Sequence, residues 1–522
     1  MVATEPVVLE SYLAGRWVRG SDAGAELVDP VTGEVVALAS SSGLDLGAAL
    51  RYARDVGRPA LGALTYAQRA ALLGAVADAL QARRDDWYAI ARRNSGNTKA
   101  DAGIDVDGGI GTLKYYAKLG ASLGEAKVLS DGAPARLARD PNFQALHLGV
   151  PIDGAAIHIN AYNFPSWGLW EKAAVALLSG IPVVAKPATA TAWLSVEMVR
   201  AVIDAGVLPN GALSLLVGSV GDLLDHVRFG DAIAFTGSAE TGERIRSHPQ
   251  VRGAGVRVNV EADSLNATLL GPDAREGTPV FELYVREIVR EMSTKAGQKC
   301  TAIRRAIVPA ARRDAVLRAL ARALDAVVVG DPATDGVTLG PLVSAGEARR
   351  AREGIAQLAA APGASIAYTH PNVPAGEAFV APTLIVAGGD AAIVHDLEVF
   401  APVASVLTYT TPDEAYALAR RGGGSLVVSV FSDDAAFLAQ SALAIGASHG
   451  RVLLVDTAIG DAQTGHGIVM PSCQHGGPGR AGGGEELGGL RGLWFYHQRT
   501  AVQGPLPVLE QLAAQAVNPY TL

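Results

Sequence analysis

The sequence predicts an α/β protein with two doubly wound, mostly parallel sheets. From residue 155 onward, short apolar runs of strand length alternate with segments of helical periodicity. This βαβ order favours parallel strands covered by helices on both faces. A second alternation begins near Pro279 and continues to about Val455. Since no Ser/Pro-rich linker separates the two regions, we expect them to share a broad interface with a cleft between them.

The individual elements follow from the spacing of apolar residues. One or two surface helices are predicted over 66–91, with Thr65 as the N-cap. In the first region the pattern predicts strands at 155–159, 183–186, 213–217, 232–235 and 256–260, and helices at 167–178, 192–205 and 240–247. In the second region it predicts a helix at 279–292, a strand at 306–308 and a helix at 312–324.

Two apolar stretches, 137–148 and 494–502, lie outside both alternations. Because neither has an evident partner inside the chain, we expect edge strands that pair across a subunit interface. The 522 residues suggest about three folding units, which these strands and the two α/β regions would supply.

The composition excludes several classes of protein. The chain carries 44 Lys and Arg against 52 Asp and Glu, a net charge of −8, which argues against a dedicated binder of nucleic acid or anionic membrane. Two cysteines cannot form a disulfide framework, and the N-terminus has no signal-peptide pattern, so we expect a cytoplasmic protein. No apolar stretch reaches the roughly 20 residues of a membrane span. Glycine is in excess, at 60 residues, and eleven glycines fall between 465 and 492.

The segment Gly-Gln-Lys-Cys at 297–300 is the first candidate for chemistry. It places Cys300 in a loop of small residues after a predicted helix, between Lys295 and Lys299. Nearby positive charge favours the thiolate, which is the nucleophilic form. A buried structural cysteine is the alternative, since free cysteine is among the most buried residue types.

Two other segments end predicted strands with polar side chains. Glu261 follows the strand at 256–260, and Asn163 follows the strand at 155–159. In a doubly wound sheet the carboxyl ends of the strands line the ligand crevice, so Glu261 is placed as a general base and Asn163 as an oxyanion donor. A solvated strand-end glutamate and an asparagine in a helix N-terminal turn are the alternatives.

The segment Phe-Thr-Gly-Ser at 235–238 again joins a strand, a glycine turn and a helix. Gly237 and Gly242 have the spacing of a P-loop, but Glu243 and Arg244 stand where Lys and Ser/Thr are required. This argues against triphosphate chemistry. The helix N-terminus is still suited to the phosphate of a dinucleotide.

Taken together and in this order, these segments resemble the aldehyde dehydrogenase family over nearly the whole chain. The matching pieces are Asn-Phe-Pro at 163–165, Lys-Pro-Ala at 186–188, Phe-Thr-Gly-Ser at 235–238, Glu261, Gly-Gln-Lys-Cys at 297–300 and Glu-Val-Phe-Ala-Pro-Val at 398–403. The resemblance implies two Rossmann-like domains, a small β oligomerisation flap and a homodimer. It divides the chain into an NADP-binding domain (1–136 and 153–272), a catalytic domain (273–493) and oligomerisation strands (137–152 and 494–522).

The same resemblance implies roles for individual residues. Cys300 attacks the aldehyde carbon, Asn163 and the Cys300 N–H hold the oxyanion, and Glu261 activates the cysteine or the hydrolytic water. The implied cofactor residues are Lys186 at the adenosine ribose, Gly237, Ser238 and Gly242 at the pyrophosphate turn, and Glu398 with Phe400 at the nicotinamide ribose.

Departures from the family pattern sharpen the expectation. Thr189 stands where many NAD-preferring members have a glutamate, which implies NADP as the cofactor, with NAD still possible. Glu171 occupies a position that is commonly aromatic in the substrate tunnel. It either relays protons or forms an ion pair with Lys172 or Lys186.

The glycine-rich segment 465–489 resembles the dehydrogenase module of enzymes that oxidise CoA-linked semialdehydes in aerobic phenylacetate and benzoate breakdown. On this resemblance Glu485 or Glu486 is the second carboxylate of the water path, with solvated helix-start glutamates as the alternative. We expect His466 and His475 in a loop or the core rather than as metal ligands, because no second spaced ligand set accompanies them, and we predict no metal site.

The substrate that this resemblance favours is 3,4-dehydroadipyl-CoA semialdehyde. The alternatives are 3-oxo-5,6-dehydrosuberyl-CoA semialdehyde, a CoA-acylating or general aldehyde dehydrogenase, and a non-catalytic scaffold on the same fold. Because the chain ends at Leu522 without the hydratase domain that some relatives carry, we expect oxidation only.

Overall fold

Two seven-stranded sheets dominate the computed structural model, which describes residues 5–485 and 488–521. In the first sheet five parallel strands are extended by an antiparallel hairpin from the N-terminal segment. Its order is Arg257–Glu261, Ala232–Thr236, Ala156–Ile159, Val183–Lys186, Leu213–Leu215, Ser11–Leu13 and Arg16–Val18. The strands predicted from residue 155 onward are thereby confirmed, with shifts of one or two residues at their ends.

The second sheet is parallel apart from one edge strand. Its order is Ser365–Thr369, Thr383–Val386, Val403–Tyr409, Arg305–Pro309, Ala267–Leu270, Ser425–Phe431 and His449–Val455. The chain therefore changes sheet between 261 and 267, ahead of the expected domain boundary at 272. The predicted class, two doubly wound sheets joined without a linker, is confirmed.

Helices cover both sheets. Thr65 caps the first long helix as predicted, since its side chain accepts from the Gln68 N–H while the Gln68 side chain accepts from the Thr65 N–H. The α-helices of five or more residues are Leu46–Tyr52, Arg58–Gly62, Tyr66–Gln81, Arg84–Ser95, Lys99–Ser122, Trp167–Leu178, Ala192–Asp204, Ala239–Ser247, Pro249–Gly253, Pro279–Ser293, Arg313–Asp325, Ala345–Ala359, Pro412–Arg420, Ala435–Ile445 and Leu506–Ala513. A π-helical turn, Ala53–Gly57, joins the first two. None of the described helices is long and apolar enough to cross a bilayer.

A third sheet corrects one expectation. The two apolar stretches that lacked an evident partner pair with each other, as antiparallel strands Phe143–Pro151 and His497–Pro505 in a nine-residue register. Val128–Ser130 pairs with the other edge of Phe143–Pro151, and Ala516–Val517 pairs in turn with Val128–Ser130. His497–Pro505 lies at one edge of this sheet. Pairing across a subunit interface and the homodimer stay predictions. A small three-stranded sheet of Val7–Val8, Val35–Ala39 and Ala25–Val28 completes the strands of the N-terminal region.

A buried ion pair ties the first helices to the first sheet. Arg54 donates through Nε to Asp231 Oδ1 at 3.0 Å, and Nη2 contacts the second carboxylate oxygen. Asp231 also accepts the N–H groups of Ala155 and Arg228, so one carboxylate joins three segments of chain. Both side chains are almost fully buried. Removal of one partner would leave the other charge without compensation in the core.

We therefore expect Asp231→Ala to lower the free energy of unfolding by about 3–5 kcal/mol, measured by urea denaturation. Glu240→Ala is the matched control, because it breaks an exposed pair with Arg244 on a helix surface and should cost less than about 0.5 kcal/mol. Equal midpoints for the two variants would contradict the importance of the buried pair.

Candidate active site

The carboxyl ends of the parallel strands in the first sheet meet the start of the second domain at one cleft. Strands of the first sheet deliver Asn163, Lys186, Thr236 and Glu261 to the same edge, as the doubly wound topology requires. Cys300 arrives from the second domain, after the helix Pro279–Ser293. Two cavities, one on each side of the cleft, meet at Asn163, Glu261 and Cys300.

The loop that carries Cys300 starts with a left-handed turn. Lys295, Ala296 and Gly297 have φ values of 52°, 51° and 70°. Residues with a Cβ rarely adopt this region, so the turn needs support from outside. Gly297 has a second constraint, because a Cβ there would overlap the Ala401 carbonyl oxygen.

Three side chains from separate segments hold this loop. Asp101, in the helix Lys99–Ser122, accepts the Lys295 N–H at 2.7 Å. Arg304 Nη2 donates to the Gly297 carbonyl at 2.8 Å. Asn266 Nδ2 donates to the Cys300 carbonyl at 2.8 Å. The backbone on both sides of the cysteine is thus fixed before any ligand binds.

Glu261 and His475 flank the thiol. Glu261 Oε2 lies 2.8 Å from His475 Nε2, and the ligand atoms of Glu261, His475 and Cys300 all lie within 4.8 Å of one another. Burial alone would raise the pKa of Glu261, but His475, Lys172 and the Cys300 hydrogen bond lower it to about 2. Burial, and then the negative charge of Glu261, raises the pKa of the Cys300 thiol well above its ordinary value.

His475 was expected in a loop or the core, and its contact with Glu261 has no signal in the sequence. Burial would lower the pKa of His475, but the adjacent Glu261 carboxylate raises it. The two lysines expected to favour a thiolate are engaged elsewhere: Lys299 pairs with Glu291 at 2.7 Å, and Lys295 lies 3.9 Å from Asp105. Those lysines are therefore paired with other carboxylates, and the ring that contacts the Glu261 carboxylate beside the thiol is that of His475.

Asn163 lies beside the nucleophile as its position in the sequence suggested. Its Nδ2 donates to the Gln298 carbonyl at 3.0 Å, which occupies one of the two amide N–H groups. The second N–H is available to an oxygen on a carbon bound to Cys300. Its role as an oxyanion donor stays a prediction.

One of the two cavities, here called the substrate-side cavity, is lined by the apolar side chains of Phe164, Trp167 and Val469 and also by polar side chains. Glu171 is buried there, and Lys172 Nζ donates to its Oε1 at 3.2 Å. Of the two ion-pair partners considered from sequence, the structure supplies Lys172, while Lys186 lines the other cavity. Whether Glu171 also relays protons stays a prediction.

The second cavity, of about 560 Å³, is lined by most of the expected cofactor residues, namely Lys186, Thr189, Gly237, Ser238, Glu398 and Phe400. Burial lowers the pKa of Lys186 to about 8. Glu398 accepts the Ser264 N–H through Oε2 at 3.0 Å, and burial raises its pKa to about 7 against the effect of Arg304. Its Oε1 is buried and forms an ion pair with Arg304, whose Nε lies at 3.5 Å.

The helix start that was predicted to bind the cofactor phosphate already donates one N–H to a carboxylate. Ser238 caps the helix Ala239–Ser247, but the Asp263 carboxylate accepts the Ala239 N–H at 3.2 Å. A cofactor phosphate at this helix start would have to share it with that carboxylate. Gly242 lies inside the helix and does not line the cavity; a Cβ there would meet Val260 at 2.8 Å, so its described contact is with the sheet.

Of the two candidates for the second carboxylate, only Glu485 lies among the described residues, and the role stays a prediction. Glu485 is exposed and lines neither cavity, while Glu486 lies outside the described residues. The glycine-rich segment nevertheless contributes to the walls, through Gly467, Val469 and His475.

A cysteine beside a carboxylate and an amide, at the cleft between two doubly wound sheets, is an arrangement suited to covalent catalysis. The chain belongs to the aldehyde dehydrogenase family, whose model matches residues 17–501. It is therefore an oxidoreductase of that family.

Individual relatives extend this result. Over 477 residues, 90% of this chain and 93% of the relative, the sequence is 50% identical to 3,4-dehydroadipyl-CoA semialdehyde dehydrogenase of Aromatoleum evansii. The fold is similar to that of lactaldehyde dehydrogenase of Escherichia coli, with a TM-score of 0.83, 23% identity, and coverage of 95% of this chain and 99% of the other. A point mutant of Staphylococcus aureus betaine aldehyde dehydrogenase, solved with NAD+, gives a TM-score of 0.83, 23% identity and coverage of 95% and 97%.

We expect Gly297→Ala to lower kcat by at least about tenfold, because the new Cβ would displace the nucleophile loop from the Ala401 carbonyl. Steady-state aldehyde oxidation measures the effect. Gly336→Ala is the control, since Gly336 also has a positive φ, of 85°, but a Cβ there meets nothing within 4 Å. Comparable losses in both variants would show that backbone strain, and not the nucleophile loop, causes the effect.

Proposed function

We propose that this protein oxidises a CoA-linked semialdehyde to the carboxylic acid with NADP, and that 3,4-dehydroadipyl-CoA semialdehyde is its substrate. The observation that carries this proposal is the 50% identity, over nine tenths of the chain, to a relative of that name. The half-buried Cys300 between Glu261 and Asn163 supports the same reaction. A phenylacetate-route substrate would differ in the acyl chain and not in the chemistry at Cys300.

The chemistry proceeds on Cys300. The thiolate attacks the aldehyde carbon, and the resulting oxyanion is held by the free N–H of Asn163 and by the Cys300 N–H. A nicotinamide cofactor held by Lys186, Ser238 and Glu398 would supply the hydride acceptor, and Cys300 would then carry the acyl group as a thioester. Glu261 then removes a proton from the water that hydrolyses the thioester.

Glu261 also favours hydrolysis over transfer of the acyl group to CoA. A carboxylate base is needed to activate water, whereas an attacking thiol ionises far more readily than water. With Glu261 at the thiol, a CoA-acylating enzyme is the weaker candidate, and a silent scaffold would not need to keep Cys300, Glu261 and Asn163 in contact with one cavity.

The preference for NADP rests on Thr189. It lines the cofactor cavity on the same side as Lys186, and its hydroxyl donates to the Gly218 carbonyl at 3.0 Å. A threonine neither accepts both ribose hydroxyls, as a glutamate would, nor repels a 2′-phosphate. The neighbouring Lys186 would attract that phosphate, and its charge would be stabilised in return.

The decisive experiment measures reduced cofactor formed from a panel of aldehydes, with NADP and NAD separately. We expect the CoA-linked semialdehydes to give kcat/KM values at least about tenfold above those of the free semialdehydes, and NADP to be preferred. Cys300→Ala is the control and should form no reduced cofactor. Free aldehydes that react as well as the CoA esters would reduce the function to general aldehyde oxidation.

Glu261→Gln separates the two halves of the reaction. Because thioester hydrolysis needs the base, we expect a burst approaching one NADPH per active site, followed by a steady rate at least about 100-fold below that of the native protein. Rapid mixing with detection of NADPH measures both phases. Full steady-state activity would remove Glu261 from the mechanism.

A further inference from the structure

Arg304 is a buried charge between the two parts of the site, and the proposed reaction assigns no step to it. It lies four residues after Cys300, and its side chain is 4% exposed. Its backbone is fixed in the second sheet, because the Arg304 N–H donates to the Asn266 carbonyl at 3.1 Å and its carbonyl accepts the Ser405 N–H at 2.8 Å. The guanidinium therefore extends from a rigid base.

One nitrogen of the guanidinium holds the nucleophile loop, residues 295–300. Nη2 donates to the Gly297 carbonyl at 2.8 Å and to the Lys299 carbonyl at 3.2 Å. Both carbonyls lie just before the nucleophile in the chain, and Gly297 belongs to the left-handed turn. Because residues with a Cβ disfavour that turn, the position of the loop depends on contacts of this kind.

The other two nitrogens face residues 398–401, here called the cofactor segment. Nη1 donates to the Ala401 carbonyl at 2.9 Å, and Nε lies 3.5 Å from Glu398 Oε1. The guanidinium carbon also lies 5.4 Å from the centroid of the Phe400 ring. Since Glu398 and Phe400 line the cofactor cavity, Arg304 contacts the segment that carries two of the expected cofactor residues.

The nucleophile loop and the cofactor segment also touch each other directly, since a Cβ on Gly297 would overlap the Ala401 carbonyl oxygen. Arg304 therefore donates to both sides of a contact between two main chains. A guanidinium suits this position because its donors have fixed directions on three nitrogens. A lysine ammonium could keep the charge beside Glu398, but it could not bond the carbonyls on both sides with the same geometry.

The neighbouring Arg305 shows what a purely structural arginine looks like in this protein. It is equally buried, and its guanidinium donates to the carbonyls of Leu265, Leu418 and Ala419. None of these three is among the described residues that line the two cavities. The carbonyl partners of Arg304, in contrast, all belong to the nucleophile loop and the cofactor segment.

We propose that Arg304 is a positioning residue that fixes the nucleophile loop relative to the cofactor segment. The proposal rests on the proposed function, in which Cys300 carries the reacting carbon and Glu398 holds the ribose of the cofactor. The hydride leaves that carbon toward the cofactor cavity, and reacting atoms must approach to about 3–3.5 Å. A shift between the two segments would lengthen this path, so the hydride step is the one that Arg304 controls.

Arg304→Lys tests this, because lysine keeps a positive charge beside Glu398 but lacks the planar fork. With the aldehyde that reacts fastest, we expect the first turnover, followed by rapid mixing as formation of NADPH, to be at least about tenfold slower than in the native protein. Deuterium on the aldehyde carbon should slow it further, since hydride transfer then limits the rate. The dissociation constant of NADP, titrated without aldehyde, should stay within about threefold of the native value.

Arg305→Lys is the matched control, since it removes an equally buried fork that contacts neither segment. Its first-turnover rate and isotope effect should equal those of the native protein. Equal losses in both variants would show a general effect of removing a buried guanidinium and would overturn the proposal. A slower first turnover of Arg304→Lys without an isotope effect would also overturn it, because the attack of Cys300 would then be the impaired step.

The native protein provides a second measurement, which decides the question if the variants fail to fold. Because Arg304 joins the two segments, addition of NADP should slow amide hydrogen exchange in residues 297–303 as well as in 398–403. Slowing confined to 398–403 would refute the proposal. No aldehyde is used, so the result does not depend on the substrate. If NADP does not bind, the proposed cofactor is wrong, and NAD replaces it in the same measurement.

Discussion

The left-handed turn before Cys300 is the constraint on which the active site depends. Lys295 and Ala296 adopt this region in spite of their Cβ atoms, at a cost of roughly 1–2 kcal/mol each. The cost is offset by hydrogen bonds from separate parts of the chain, among them Asp101 from the first domain and Arg304 from the second. Correct placement of the thiol is therefore a consequence of docking the two domains, and not a property of the local sequence.

Two buried carboxylates that line the cofactor cavity have pKa values shifted in opposite directions. The pKa of Glu261 falls to about 2, while that of Glu398 rises to about 7. Both are buried, so the difference comes from their partners: Glu261 contacts an imidazole at 2.8 Å, whereas Arg304 lies 3.5 Å from Glu398 and donates no hydrogen bond to it from Nε. Two carboxylates of one site thus differ in pKa because their partners differ, as is common in enzyme sites.

Sequence patterns predicted those parts of the molecule that depend on neighbours in the chain. The strands and helices from 155 to 261 follow local periodicity, and Cys300, Glu261 and Asn163 lie where strand ends and loop composition suggested. The pairing of Phe143–Pro151 with His497–Pro505 was missed because the partners are hundreds of residues apart and neither strand carries a signal for the other. The position of His475 in the site was missed for the same reason, since the carboxylate that it contacts belongs to a strand of the first sheet.

The excess of glycine has a related explanation. At Gly297, Gly476 and Gly477 a Cβ would overlap a carbonyl oxygen of another segment, so each glycine marks a close approach of two main chains. A wall made of backbone presents amides and carbonyls of fixed direction and adds no titratable groups. The acid–base behaviour of the cavity is consequently left to the few titratable side chains that line it, among them Glu171, Glu261 and His475.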